Sequence, residues 1–167
     1  MPATLPAGDR PPPPNLRAQR LAIRSIPGQT YVLTLPTLYQ RPVFRDDDAA
    51  RAVCRIHTAR WPWRDARVSA WVLMPDHWHG LVTLGERDTL STLVGRFKAI
   101  TSRAVEDRHL VNGWLWGRGF SDRRLPAGED ALQAARYLVA NPLRAGLVQR
   151  LGDYPYWNAD WLEPGQP

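Results

Sequence analysis

The sequence predicts an α+β domain of the ferredoxin-like, or palm-type, class, in which an antiparallel sheet carries two helices on one face. Two hydrophobic patterns support this prediction. Short stretches alternate apolar and polar residues, as strands do, and longer stretches repeat apolar residues at helical spacing. The elements follow the order strand, helix, strand, strand, helix, strand, helix, which matches the ferredoxin-like arrangement.

The first half of the chain predicts a strand, a helix and a hairpin. The stretch GQTYVLTLPT alternates large apolar side chains with smaller ones, as a strand does. An aspartate at 46–48 can cap the next helix, in which Ala49, Val53 and Ile56 recur at helical spacing. The runs RVSAWVLM and HWHGLVTL are separated by Pro-Asp, and they predict a hairpin with histidines at its mouth.

The second half predicts a helix, a strand and a final helix. The stretch TLSTLVGRFKAITSRAVEDR carries a continuous apolar stripe at helical spacing. The stripe consists of Leu90, Leu93, Val94, Phe97, Ile100, Ala104 and Val105. The stretch GWLWGRGF predicts a fourth strand, and GEDALQAARYLVAN predicts a helix that Pro142 ends just after Asn141. This last helix is free to lie away from the other two.

The chain is long enough for one well-buried core, because it has 167 residues, of which 44% are hydrophobic. We expect one domain at 26–150. A proline- and arginine-rich segment at 1–25 reads as a flexible arm, and a C-terminal tail at 151–167 is expected to pack on or near the domain.

Composition limits the compartment and the partners. No apolar run approaches the roughly 18 to 20 residues of a membrane span, and the N-terminus lacks the apolar middle of a secretory signal, so we expect a cytoplasmic protein without membrane contact. The single cysteine, Cys54, excludes an internal disulfide and a multi-cysteine zinc site. The net charge of +6 favours a polyanion such as nucleic acid, although the near-absence of lysine could also reflect coding bias in the genome.

The histidine pair in MPDHWHGLV is a candidate metal site. Residues two apart on a strand point to the same face, which brings His77 and His79 together and directs Trp78 to the other side. Both imidazoles could then bind one ion, but two ligands make an incomplete site. From the residues alone, metal binding and two partly exposed, satisfied histidines both remain open.

A second candidate lies in ARYLVANPLRAGLV. Tyr137 and Asn141 are four residues apart and therefore share a face of the final helix, with Arg136 and Arg144 beside them. A tyrosine hydroxyl becomes a useful nucleophile only when cations or a metal stabilise the charge that develops. Core packing is the alternative role for Tyr137.

Taken together, these stretches resemble the REP-associated tyrosine transposases, an IS200-like group of the HUH single-tyrosine transposase superfamily. The resemblance rests on PDHWHGLV and ARYLVANPLRAGLV, with IPGQTYVLT, RFKAITSRA, LWGRGFSDR and DYPYW in support, and it covers roughly residues 24–161. The chain departs from the family pattern at Trp78, where a smaller hydrophobe is usual, and at Ser121, where relatives carry histidine.

The resemblance implies a function, a cofactor and a site. Histidines matching His77 and His79, with Asn141 as third ligand, would hold Mg²⁺ or Mn²⁺, and Tyr137, on a helix near the opposite face of the sheet, would attack a phosphate of single-stranded or hairpin DNA. The 5′-phosphotyrosine formed keeps the bond energy, so cleavage and rejoining would need no nucleotide cofactor. A monomer is favoured over a homodimer.

Basic residues around these motifs are candidate phosphate contacts, and a solvated surface is the alternative for each of them. The set consists of Arg96, Lys98, Arg103, Arg118, Arg123, Arg124, Arg136 and Arg144. Two further functions stay open: a binder of hairpin nucleic acid without catalysis, and a metal-dependent phosphoesterase that uses water in place of Tyr137.

Overall fold

The computed structural model describes residues 25–59, 61–108 and 110–161. Most of the proline-rich arm and the end of the tail lie outside the described residues. Five strands and four α-helices occur within them, and three short 3₁₀ turns connect these elements. The strands are β1 (Thr30–Pro36), β2 (Ala66–Met74), β3 (His77–Leu84), β4 (Ser121–Arg124) and β5 (Trp157–Ala159). The helices are α1 (Asp47–Thr58), α2 (Leu90–Glu106), α3 (Ala131–Val139) and α4 (Asn141–Arg144).

The five strands form one antiparallel sheet in the order β4-β1-β3-β2-β5. The first four strands have the ferredoxin-like order, which confirms the fold class predicted from the sequence. The fifth strand comes from the tail and pairs with β2, where Ala159 lies opposite Ala70. The sequence did not predict this strand. Tyr154 and Tyr156 are also buried in the core, so the described part of the tail packs on the domain.

One face of the sheet packs against α1 and α2. Trp78 is fully buried there, and its ring centre lies 5.4 Å from that of Phe97 on α2 and 5.5 Å from that of His57 on α1. Trp63 stacks on Trp78 at 5.6 Å. Burying rings of this size supplies a large share of the hydrophobic stabilisation of such a small core.

Gly80 explains how the strand accommodates a tryptophan between the two histidines. Gly80 lies two residues after Trp78 and therefore on the same face of β3. A Cβ atom at position 80 would lie 2.0 Å from the Trp78 ring, so no larger residue fits beside it. The unusual size of Trp78 is therefore matched by the absence of a side chain at Gly80.

The helix caps follow the sequence. Asp46 accepts a hydrogen bond from the backbone N–H of Ala49 at 2.9 Å, as predicted for the start of α1, and Thr89 caps α2 in the same way. On α2, Thr101 is buried in place of Ile100, because its hydroxyl accepts a hydrogen bond from Trp116 Nε1 at 2.8 Å. No helix among the described residues is long and apolar enough to cross a bilayer.

Two sequence predictions were wrong in detail. The fourth strand does not lie in GWLWGRGF, which is irregular apart from one bridge between Trp116 and Thr37, and it begins instead at Ser121. The glycines in that stretch favour loops, and Leu115 and Trp116 belong to a loop that packs on the core. The final helix also ends at Val139, and Pro142 lies in the first turn of α4, where its missing N–H costs no hydrogen bond.

Candidate active site

The histidine pair lies on the face of the sheet opposite α1 and α2, which we call the open face. His77 and His79 begin β3 directly after the Pro75–Asp76 turn, and their ring centres are 5.3 Å apart. Both side chains are partly exposed. The strand therefore presents the two imidazoles on one face, as the sequence predicted.

Neighbouring groups fix the orientation of both rings. His79 Nδ1 lies 3.0 Å from the carbonyl oxygen of Leu33 and 2.8 Å from Thr34 Oγ1, and a carbonyl can only accept, so Nδ1 carries the proton. His77 Nδ1 lies 2.6 Å from the Asp76 carboxylate, which likewise accepts. In each neutral ring the lone pair is then on Nε2, the atom available to a metal.

The protonation of His79 favours the same role. Burial lowers the pKa of His79, and the neighbouring His77 and Arg144 lower it further, while the hydrogen bond to the Leu33 carbonyl acts in the opposite direction. His79 is therefore neutral at neutral pH, which is the state that can donate a lone pair to a cation.

The tyrosine lies beside His79. Helix α3 crosses the open face of the sheet, and a cavity of about 320 Å³ between the helix and the strands is lined by His79, Tyr137, Asn141 and Ser121, among others. The Tyr137 side chain is 66% exposed, so it does not serve as core packing. The structure thus brings together residues that are about sixty positions apart in the sequence.

Arg144 holds the tyrosine and the asparagine in one unit. Its guanidinium carbon lies 3.6 Å from the centre of the Tyr137 ring, a cation–π contact, and its Nη1 donates to the Tyr137 carbonyl at 2.6 Å. Its Nη2 donates to Asn141 Oδ1. A fixed positive charge therefore lies between the nucleophile candidate and the third ligand candidate.

The donor set fits a divalent cation in part. The free Nε2 atoms of His77 and His79 and the amide oxygen of Asn141 are suitable ligands for Mg²⁺ or Mn²⁺. Asn141 Oδ1 is bound to Arg144, however, so it could reach a metal only after that contact opens. Within the described parts of the chain no group of three or more His, Cys, Asp or Glu residues converges.

Some contributors to this site were missed by reasoning from the sequence. Asp76 was read only as a turn residue, and Thr34 only as a strand residue, yet both orient the histidines. Asp122 lines the cavity as well. The available signal for Asp76 was its position directly before the first histidine.

Two of the eight candidate phosphate contacts are partly buried and already bound to protein acceptors. Arg96 donates to both oxygens of Asp88 at 2.6 and 2.7 Å, and both side chains are about nine-tenths buried. Lys98 Nζ donates to the carbonyls of Gly117 and Gly119 at 2.8 and 2.7 Å, and burial lowers its pKa to about 8. Since both cations already bind protein acceptors on the helix-covered side, we leave them out of the proposed DNA surface.

The other six candidates are exposed, in different places. Arg123 lines the cavity with Tyr137 and forms an ion pair with Glu129 at 3.1 Å, and Arg144 covers the Tyr137 ring. Arg136 lies on α3, next to the tyrosine in sequence. Arg103 belongs to α2, on the helix-covered face. The remaining two are Arg124, the last residue of β4, and Arg118, which lines a second cavity together with Trp114 and residues of α2.

Comparison with known proteins identifies the class. The model of the family described as "Transposase IS200 like" matches residues 25–132, well over half of the chain, so the chain belongs to the IS200-like transposase family. The matched stretch contains both histidines and ends before Tyr137 and Asn141. The resemblance found in the sequence is thereby confirmed.

Particular relatives agree with this class. The chain is 27% identical over 93 residues to the REP-associated tyrosine transposase of Escherichia coli (strain K12), a match that covers 56% of this chain and 54% of that protein. The match thus spans about half of the relative's length. A solved structure of a REP-associated tyrosine transposase bound to a REP hairpin superposes with a TM-score of 0.62 at 20% identity, covering 86% of this chain and 90% of the other. This superposition shows the shared fold.

Proposed function

We propose that the protein is a metal-dependent single-strand DNA endonuclease and strand transferase, which cleaves and rejoins DNA at hairpin-containing sites through a 5′-phosphotyrosine intermediate. The observation that carries the proposal is the shared cavity of His79, Tyr137 and Asn141, which places an exposed phenol beside one of the two oriented imidazoles. Membership of the IS200-like family supports it.

The chemistry assigns one role to each group. Tyr137 Oη loses its proton to solvent and attacks phosphorus, forming the O–P bond of the phosphotyrosine, while the bond from phosphorus to the 3′ oxygen breaks. The 3′ oxygen takes up a proton and leaves as a hydroxyl. Because one phosphodiester replaces another, attack by a 3′-hydroxyl can reverse the step and join strands.

Cations of the chain prepare the site for this step. Arg144 and Arg123 place positive charge beside the cavity, where it can bind the phosphate and offset the charge that develops during attack. A divalent ion held by His77 and His79, and by Asn141 once Arg144 releases it, would supply further polarisation of the phosphate. Asp76, Thr34 and the Leu33 carbonyl act as positioning groups, since they keep both Nε2 atoms free.

The proposed substrate is single-stranded DNA with a hairpin. The solved relative bound to a REP hairpin supports this class of substrate. Arg123, Arg136 and Arg144 on the tyrosine side of the sheet form the proposed phosphate surface. A sequence-independent cationic surface would also make binding fall steeply with salt.

One observation favours a second function, hairpin binding without cleavage. Asn141 Oδ1 already accepts a hydrogen bond from Arg144, so the third ligand is occupied in the arrangement seen. If that contact never opens, only two protein ligands remain for a metal, and the basic surface would act in binding alone.

Covalent trapping tests the proposal. The full chain is incubated with an oligonucleotide that carries a hairpin and single-stranded flanks, with Mn²⁺, and the products are separated under denaturing conditions. We expect a protein–DNA adduct that disappears in Tyr137→Phe, in His77→Ala and with chelator. Tyr154→Phe removes a phenol buried elsewhere and His57→Phe removes an imidazole from the other face, so both matched controls should retain the adduct.

Each alternative has its own signature in this assay. Cleavage that persists in Tyr137→Phe would replace the tyrosine mechanism with water-dependent hydrolysis. Tight hairpin binding without cleavage of any substrate would favour the binder. Release of Asn141 is probed with Arg144→Ala, which should tighten Mn²⁺ binding if the amide oxygen is the third ligand.

A further inference from the structure

Two large aromatic side chains project into solvent from neighbouring loops. Tyr39 is 86% exposed and Trp114 is 80% exposed, and within the described residues no other large apolar or aromatic side chain is as exposed. Leaving such rings in water forfeits the stabilisation that their burial would give. Neither residue has a part in the proposed cleavage chemistry.

The loop that carries Tyr39 has a strained backbone. Tyr39 and Gln40 have φ angles of 58° and 53°, in the left-handed region that residues other than glycine rarely adopt. Strain of this kind persists only where surrounding contacts impose it, and it concentrates at binding sites. In this conformation the phenol ring is exposed to solvent.

Hydrogen bonds join the two loops rigidly. Arg41 donates from Nη2 to the Trp114 carbonyl at 2.6 Å and from Nη1 to the Asn112 carbonyl at 3.4 Å. The backbone N–H of Leu38 donates to the Leu115 carbonyl at 2.9 Å. The backbones that carry the two exposed rings are therefore joined directly.

The loop that carries Tyr39 is also tied to the histidine end of the sheet. Thr37 is buried, and its N–H and its hydroxyl each lie 2.9 Å from the carbonyl oxygen of Asp76. The carboxylate of Asp76 in turn orients His77. Tyr39 is thus two residues from a direct contact with the turn that positions the first histidine.

The chemistry of the two exposed rings suits one occupant. Flat, exposed aromatic rings stack on unpaired bases of any sequence, and this contact operates together with cations that bind the backbone. A cavity of about 280 Å³ beside Trp114 is also lined by Arg118, Ser102, Lys98 and Glu106. Arg118 is exposed and can bind a phosphate next to the ring.

We propose that Tyr39 and Trp114 form a stacking site for unpaired bases of the single-stranded DNA that flanks the cleaved phosphate. This inference rests on the proposed action on single-stranded DNA. The site acts in binding and leaves the chemistry to Tyr137, so it lowers the concentration of DNA that is needed without changing the rate of the bound complex.

Equilibrium binding in chelator tests this site apart from cleavage. The full chain is titrated with a short single-stranded oligonucleotide that contains 2-aminopurine, whose fluorescence falls on stacking. We expect Tyr39→Ala and Trp114→Ala each to weaken binding by about 5- to 100-fold and to reduce the fluorescence change. Tyr39→Phe and Trp114→Phe keep a ring and should bind within a few-fold of the unchanged protein. A blunt duplex, which has no unpaired base, should be affected far less.

The control is Trp61→Ala, which removes another exposed tryptophan, 57% exposed, near the start of β2 at the other end of the sheet. Unchanged binding in both alanine variants would overturn the proposal, and so would an equal loss in Trp61→Ala. The two proposals fail separately. Tyr137→Phe should bind the oligonucleotide normally without forming an adduct, whereas the Tyr39→Ala, Trp114→Ala double variant should still form the adduct at saturating DNA.

Discussion

The two faces of β3 show how one strand serves two purposes. On one face Trp78 is fully buried against Phe97 and His57, and all three lie in the core. On the other face His77 and His79 are partly exposed beside a cavity. Hydrophobic burial determines the packing of the covered face, whereas individual hydrogen bonds and charges determine how the side chains on the open face are oriented. Stability and chemistry should therefore respond to different substitutions on the same strand.

The largest expected effect contrasts the two faces directly. Trp78→Ala should lower the free energy of unfolding by about 3–5 kcal/mol, since it leaves a cavity among rigid rings. His77→Ala should change that free energy by less than about 1 kcal/mol, because the ring is partly exposed, while it abolishes the adduct. Urea unfolding measures both free energies, and the trapping assay measures the adduct.

A similar loss of stability in the two variants would contradict this difference between the two faces of β3. Gly80→Ala provides a further check on the covered face, because the added methyl group collides with the Trp78 ring. Overpacking of this kind costs about 1–3 kcal/mol, and Trp78→Leu in the same chain should recover part of it.

The second effect concerns pH and the covered face. Burial lowers the pKa of His57 from 6.5 to about 3, and its Nε2 has no hydrogen-bond partner among the described residues. Below pH 6.5 the unfolded chain takes up a proton that the folded chain does not, so stability falls as pH drops toward about 3. His57→Phe fills the same space without a titrating group.

We expect the unchanged protein to lose on the order of 3 kcal/mol more than His57→Phe between neutral pH and about pH 4. Urea unfolding across this range measures the slope. The variant should keep a smaller slope from His79, whose pKa is also lowered. Parallel slopes in the two proteins would show that His57 does not stay neutral in the folded protein at these pH values.

The smallest effect lies in the strained loop. Tyr39→Gly should relieve about 1–2 kcal/mol of left-handed strain in the folded state. Glycine also raises the conformational entropy of the unfolded chain, which costs about 0.4–1 kcal/mol of stability. The net result is a stabilisation of roughly 0.5–1 kcal/mol, together with weaker binding of single-stranded DNA. Thermal unfolding and the 2-aminopurine titration measure the two changes. A more stable variant that binds normally would separate the strain from DNA binding.

The sequence predicted the covered face better than the open one. Burial of alternate residues in β1 and of the apolar stripe in α2 follows from periodicity, because hydrophobic burial depends on the spacing of residue types. The fourth strand was misplaced because GWLWGRGF has the apolar content of a strand, but it packs as a loop. The fifth strand was missed because three residues give too short a pattern.

On the open face, residue types were predictable and partners were not. The histidines, Tyr137 and Asn141 were predicted as site residues from their spacing and from the family resemblance, and their roles stay predictions. The same holds on the helix-covered side, where Arg96 and Lys98 could not be distinguished from free cations, since their acceptors are Asp88 and backbone carbonyls that only the folded chain brings near. The contact of Arg144 with Asn141 is likewise a product of the turn between α3 and α4.

The phosphotyrosine mechanism is tested most directly by identifying the residue that carries the DNA. After trapping with Mn²⁺, the adduct is digested with nuclease and protease, and the peptides are sequenced by mass spectrometry. We predict a nucleotide attached through its 5′ phosphate to Tyr137, in the peptide that contains Asn141. A nucleotide on any other residue, or a cleaved strand with a free 5′ phosphate and no modified peptide, would contradict it.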